Sequence, residues 1–369
     1  MSSGSPASAD TWRESRSSPV HHAARLPPPR VVATGPWDAP GWEAPLVDAG
    51  CDVVCGPSID RDPVAALSEA SLIELCRASD AILASTRDYI TGAVLDAAPN
   101  LRLVAKATIG VEKIDVAAAT ARGVLVANSP APENIIGLAE ATVGLMVALA
   151  KGLLEKEDRL RRGRWRDHST DGVVLAGRSI GIVGLGRVGS AVARRLAGWD
   201  ATLVGYDPYV SDADFDTAGV TRMGLSQLLS TVDLMTLHVP LTDETRGMIG
   251  PAEFARLRRG AFLVNTSRGP VIDESAFIAA LSKGHLAGAA LDVFDEEPLP
   301  MTSPLRSIDR RSLVLTPHSI GSSWVSRGTG TGMAVHAILS ALSGVVPSNV
   351  LNPEVTPEWR SRWTGASGR

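Results

Sequence analysis

Three cysteines in 369 residues, Cys51, Cys55 and Cys76, are too few for a disulfide framework, and their spacing matches neither a C-x-x-C redox pair nor a zinc ligand set. They read as reduced, mostly buried thiols, and no metal site is expected. Charge of one sign is equally scarce. Lys and Arg number 36 against 40 Asp and Glu, a formal charge of -4, so no electrostatic excess is available to hold a polyanion and nucleic acid is not expected as a partner. The N-terminus lacks the continuous apolar stretch of a secretory signal. Residues 1–29 are instead rich in Ser, Ala and Pro and carry Arg13, Arg16 and Arg25, which predicts a disordered extension and a cytoplasmic protein. One run, Ile135 to Leu154, approaches the length of a bilayer span, but Glu140 lies inside it. The pattern fits a helix packed in protein, so no membrane partner is expected. From Glu354 to Arg369 periodicity is lost and a loose tail is expected.

What is present is an ordinary globular balance, 44% hydrophobic and 21% charged, with enough chain for two domains. Short β-rich runs alternate with helix-length segments. Runs beginning at Arg30, Cys51, Ala81, Leu103 and Val124 read as strands in the first half, and runs beginning at Ser179, Ala201, Asp233, Ala261, Ala287 and Leu313 in the second. That rhythm predicts two α/β units with parallel sheets. Prolines interrupt it at Ser129-Pro130-Ala131-Pro132, where the halves divide.

The strongest local signal is Gly184-Leu185-Gly186-Arg187-Val188-Gly189, between a strand ending in Ile182-Val183 and a helical pattern through Ala191 to Leu196. Gly184 permits the tight turn, Gly186 lets backbone approach a pyrophosphate, and Gly189 lets helix and strand pack closely. The N–H groups at the helix start, around Arg187 and Val188, then face phosphate. Asp207 ends the next strand, placed to accept from both adenosine ribose hydroxyls and to repel a 2′-phosphate. NAD is therefore the expected cofactor.

Three downstream segments each follow an expected strand at its C-terminal end, the edge where open α/β sheets bind ligands: Asn265-Thr266-Ser267-Arg268-Gly269, Leu291 to Pro298, and Leu315-Thr316-Pro317-His318-Ser319. One arginine, one carboxylate and one histidine can thus converge beside the nicotinamide. At this point the chain resembles the D-isomer-specific 2-hydroxyacid dehydrogenase family. The resemblance runs from about Arg30 to Pro353 and adds Tyr206-Asp207-Pro208, His238-Val239-Pro240-Leu241-Thr242 and Asn349-Val350-Leu351-Asn352-Pro353 to the motifs above.

That resemblance implies a Rossmann-type NAD-binding domain, 131–319, inserted in a discontinuous flavodoxin-like substrate domain, 30–130 and 320–353. It implies Arg268, Glu297 and His318 as the catalytic set and Asp292 as the holder of the nicotinamide carboxamide. His238, Val239, Pro240, Thr245, Thr266 and Ser267 would line the cofactor site. Lys106 to Asp115 resembles the family's substrate loop, with Ile109 and Gly110 beside the substrate carboxylate. The loop departs from the pattern at Thr108 for glycine, Glu112 for aspartate and Lys113 for asparagine, so substrate choice stays open. The family's bridging helices correspond to Glu133–Leu154 and Trp324–Leu342, and the first suits a homodimer interface.

The chemistry of the residues agrees with these roles. Oxidising a secondary alcohol needs a base for the hydroxyl proton while hydride leaves the same carbon, which an imidazole such as His318 can be. A carboxylate on the other ring nitrogen, Glu297, fixes the tautomer; Glu297 is chosen over Asp295 and Glu296 because the family's acid directly precedes proline. Arg268 offers a planar fork for a substrate carboxylate and for polarising the neighbouring carbonyl oxygen. The expected activity is NAD-dependent hydride transfer at C2 of a small 2-hydroxy or 2-oxo acid. The alternatives are an NAD(H)-sensing corepressor-like binding protein and a formate-dehydrogenase-like enzyme, the latter disfavoured because those relatives carry glutamine in place of Glu297. His238 reads as a wall of the site, and His21, His22, His168, His285 and His336 as surface or packing residues.

Overall fold

The computed structural model describes residues 27–35, 40–56, 66–166 and 171–363. His21, His22, His168 and nearly all of the expected N-terminal extension lie outside those residues. Continuous apolar runs become strands buried on both faces, as parallel sheets require. Strands β1 (Arg30–Ala33), β2 (Asp52–Cys55), β3 (Ala81–Ala84), β4 (Leu103–Lys106) and β5 (Leu125–Ala127) form one parallel sheet in the order β2-β1-β3-β4-β5, the flavodoxin order. Every residue of β3, β4 and β5 is buried.

A second parallel sheet joins β6 (Ser179–Val183), β7 (Thr202–Tyr206), β8 (Thr221–Arg222), β9 (Leu234–Leu237), β10 (Ala261–Asn265), β11 (Leu286–Leu291) and β12 (Leu313–Leu315) in the order β12-β11-β10-β9-β6-β7-β8. Its order reverses between β6 and β9. The crevice beyond the strand ends at that point is where a doubly wound sheet takes a ligand. The two-residue edge strand β8, both residues exposed, is the one strand the sequence pattern did not announce.

The apolar run 135–154 spans two helices. Pro132 opens the first, Pro132–Lys151, and Gly152 at φ 57° closes it in the left-handed conformation before the helix Leu153–Arg161 begins. The 132–151 helix is long and apolar enough to cross a membrane. Here it lies along the second sheet, against the helix Arg187–Leu196 and strands β10 and β11, with Ala139 and Met146 fully buried. After β12 the chain returns: the helix Trp324–Leu342, capped by Ser323, packs on β3 and β4 and touches the 132–151 helix.

The C-terminal segment corrects the expected loose tail. Residues Pro353–Val355 form a 3-10 turn and Thr356–Trp363 a helix, with Trp359 fully buried and its indole N–H donating to Arg102 O at 2.8 Å. Asn352, also buried, accepts from Val126 N at 2.8 Å and donates to Val124 O at 2.9 Å. One large apolar side chain with its polar atom satisfied anchors a helix too short to show periodicity. The thiols need correction as well. Cys76 is buried and Cys51 half-buried, but Cys55 is exposed, because β2 is the edge of its sheet. Burial pushes the Cys76 thiol up to about 12.

Candidate active site

Six strand ends of the second sheet supply the site. Beyond β6, Gly184 turns at φ 88°, and Gly186 is the extended residue capping the 187–196 helix. A Cβ at Gly189 would overlap the Gly184 carbonyl oxygen, whereas a Cβ at Gly186 would meet nothing within 4 Å. Gly189 is thus required by packing, and Gly186 leaves open room in front of the helix N-terminus. Arg187 is exposed there and Val188 half-buried. Asp207, just beyond β7, accepts from Leu185 N at 2.9 Å through one oxygen and from Tyr209 N and Val210 N at 2.9 and 3.2 Å through the other. It fixes the glycine-rich turn from the position at which it would meet a ribose.

Across the crevice, beyond β9, His238 donates its backbone N–H to Val183 O at 2.7 Å, and its carbonyl lies against Gly184. Its Nε2 bonds Thr236 Oγ1 at 3.0 Å, while Nδ1 is buried with no partner among the described residues. Burial pushes this ring down to about 3, so it is neutral and suited to a wall of the site. Val239 is half-buried and Pro240 exposed; the Thr245 hydroxyl donates to Pro240 O at 2.6 Å and accepts from Thr242 N at 2.8 Å, which folds this segment into a compact loop. An open helix N-terminus, a cradle of glycines and an orphaned buried nitrogen together fit a dinucleotide such as NAD.

The catalytic candidates converge beyond β10, β11 and β12. His318 Nδ1 and Glu297 Oε2 are 2.7 Å apart, and Glu297 Oε1 accepts from Phe294 N at 3.0 Å. Burial pushes the Glu297 carboxyl up, but its bonds to His318 and Phe294 and the charges of His318 and Arg268 outweigh this, leaving it below its ordinary value. His318 sits at φ 48°, a left-handed backbone that histidine seldom adopts. Asp292 holds the strained loop: one oxygen accepts from Thr316 Oγ1 at 2.7 Å and Ser319 N at 3.2 Å, the other from Ile320 N at 3.4 Å. Asp292, 2% exposed, is raised mainly by burial, and in this structure it positions the histidine loop, a job the sequence reading had not given it.

Arg268 follows Thr266 and Ser267 in a segment pinned by Asn265, which donates to Arg268 O at 3.0 Å and accepts from both Ser267 N, at 3.0 Å, and Ser267 Oγ, at 2.7 Å. Thr266 Oγ1 bonds Thr142 Oγ1 of the 132–151 helix at 3.0 Å. Asn265 and Thr142 escaped the sequence reading, although Asn265 stands in the same motif. The arginine reaches across to the first sheet, where its Nε donates to Glu112 Oε1 at 2.6 Å. Ile109 and Gly110 belong to that loop, just past β4; Ile109 O accepts from Asn128 Nδ2 at 2.9 Å, and neither N–H has a partner among the described residues. Two free donors beside a guanidinium suit a carboxylate.

Known proteins resemble this chain in sequence and in fold. Residues 143–320 match the family model of the D-isomer specific 2-hydroxyacid dehydrogenase NAD binding domain. The chain is similar to a glyoxylate reductase of Thermofilum pendens, 36% identical over 89% of this chain and 95% of the relative. A D-3-phosphoglycerate dehydrogenase of Methanocaldococcus jannaschii is 35% identical over 79% of this chain, which spans 55% of that longer protein. Among solved structures, the D-lactate dehydrogenase of Aquifex aeolicus, complexed with NAD and lactic acid, has a TM-score of 0.77 at 25% identity over 87% of this chain and 98% of its own. The nucleotide crevice, the two parallel sheets and these likenesses agree: the chain belongs to the D-isomer specific 2-hydroxyacid dehydrogenase family of NAD-dependent oxidoreductases acting on the CH–OH group.

Proposed function

We propose that the chain interconverts a small 2-oxo acid and its D-2-hydroxy acid, with His318 moving the proton. The observation that carries this reading is the His318–Glu297 pair beside Arg268 at the strand edge that also bears the glycine-rich turn. NAD, when bound, supplies or accepts the hydride. Arg268 with the Ile109 and Gly110 N–H groups binds the substrate carboxylate and orients C2. His318 Nε2, the ring nitrogen that Glu297 leaves free, donates a proton to the carbonyl oxygen in reduction and removes it in oxidation. Glu297 holds the tautomer and balances the imidazolium formed during oxidation. Asp207 favours NAD over its phosphorylated form, and Arg222, which donates to Asp207 O at 3.1 Å, is already paired with Asp212.

Steady-state oxidation of NADH with glyoxylate, hydroxypyruvate, pyruvate and bulkier 2-oxo acids tests the reading. At least one should turn over, and His318→Ala should lower kcat by about 10²- to 10⁴-fold with NADH binding retained. No turnover of any, or a His318→Ala variant equal to the wild type, ends the proposal. The assembly is read as a two-fold dimer: Ile136, Leu153 and Leu160 expose apolar surface along the 132–151 helix and its successor. Sedimentation should give twice the chain mass, and a monomer would refute it.

A further inference from the structure

The nucleotide crevice is bridged by two side chains to which the proposed reaction gives no role. Strands β7 and β9 lie on either side of β6, so their ends stand two strand spacings apart, about 10 Å, with the glycine-rich turn between them. The loop after β7, which carries Asp207, and the loop after β9 are therefore the two banks of the adenosine end of the crevice. Tyr209 of the first loop reaches across. Its phenol hydroxyl donates to Glu244 Oε2 of the second.

Both banks are fixed, and the span between them is not. Tyr209 N donates to Asp207 Oδ1 at 2.9 Å and Arg222 Nη2 to Asp207 O at 3.1 Å, which holds the backbone of the first loop. Glu244 sits inside the turn closed by the Thr245 hydroxyl, which accepts from Thr242 N at 2.8 Å and donates to Pro240 O at 2.6 Å. The Tyr209 ring, by contrast, is 78% exposed, and Glu244 is exposed as well. The hydroxyl bond holds the ring across the gap, and water competes for both partners, so the bond opens readily. Glu244 raises the phenol above its ordinary value, first through that bond and then through its charge, which keeps the donor protonated. Between the banks, Gly186 leaves open space in front of the helix Arg187–Leu196.

We propose that Tyr209 and Glu244 form a clasp over the adenosine half of NAD: the bond is made in the free protein, breaks to admit the dinucleotide and forms again once it is seated. The clasp gates exchange of the cofactor and leaves its affinity alone, because a bond made equally before and after binding favours neither state. The inference concerns cofactor exchange only, and it stands whichever 2-oxo acid is reduced.

Stopped-flow fluorescence of NADH binding to the full chain, with no oxo acid present, tests it. Tyr209→Phe keeps the ring and removes the hydroxyl. It should raise the association and dissociation rate constants together, each by about fivefold, the size of one net hydrogen bond between exposed groups, and leave Kd within about twofold of wild type. Glu244→Ala should do the same, and Glu244→Gln, which keeps an acceptor at the same reach, should return both rates most of the way to wild type. The double variant Tyr209→Phe/Glu244→Ala should be no faster than either single one, since the two side chains share one bond. Thermal melts check that each variant folds. Rate constants within about twofold of wild type in Tyr209→Phe overturn the proposal, because no gate is then present. A rise in dissociation alone, with weaker binding, also overturns it by making Tyr209 an ordinary contact of the nucleotide, and additive effects in the double variant rule out the shared bond.

Discussion

Lys106 shows how a single side chain couples the pocket to stability. Its folded value, about 8, lies below the ordinary 10.5, so between those limits the unfolded chain binds the extra proton and stability rises with pH. Well below pH 8 the penalty is fully present, on the order of 3 kcal/mol for a shift of this size. Lys106→Met should therefore be relatively more stable at pH 7 than at pH 10, which urea unfolding of both proteins measures. Parallel profiles would show that the ammonium is not penalised by burial. Glu297 has the opposite sign: its depressed value contributes stability above the ordinary 4.5 that is lost as pH falls through the folded value. That Arg268, Glu297 and His318 come together could be expected from three segments at strand ends, although only the family's register before Pro298 separated Glu297 from Asp295 and Glu296. The contact of Arg268 with Glu112 was not to be expected, because it joins residues 156 positions apart.

At the scale of elements, the glycine-rich turn separates packing from ligand space. Gly189→Ala places a methyl on the Gly184 carbonyl and should destabilise the fold, whereas Gly186→Ala meets no protein atom and should fold normally but bind NADH more weakly. Thermal melts and fluorescence titration of the two variants check this; equal melting points, or full NADH affinity in Gly186→Ala, would contradict it. Strand positions were readable to within a residue or two because buried parallel strands are short apolar runs bounded by breakers. The run 135–154 misled only in length: hydropathy continues across Gly152 while the backbone does not. The C-terminal helix escaped because a segment held by Trp359 needs one good slot, and slots are not written in local pattern.

The whole molecule is two parallel sheets whose chain crosses from the first to the second and back, so that Lys106 to Glu112 from one meets Arg268 from the other. Alternating strands and helices announced both sheets, and the order of motifs announced the returning helix. Modest net charge is consistent with a site that attracts anions through a few placed groups. The central claim is direct hydride transfer to C2 with His318 handling the proton. It is tested most directly by reducing hydroxypyruvate with NADH deuterated at nicotinamide C4 and analysing the glycerate formed. The account predicts the D isomer with deuterium at C2; an L product, or a C2 hydrogen drawn from solvent, would contradict it.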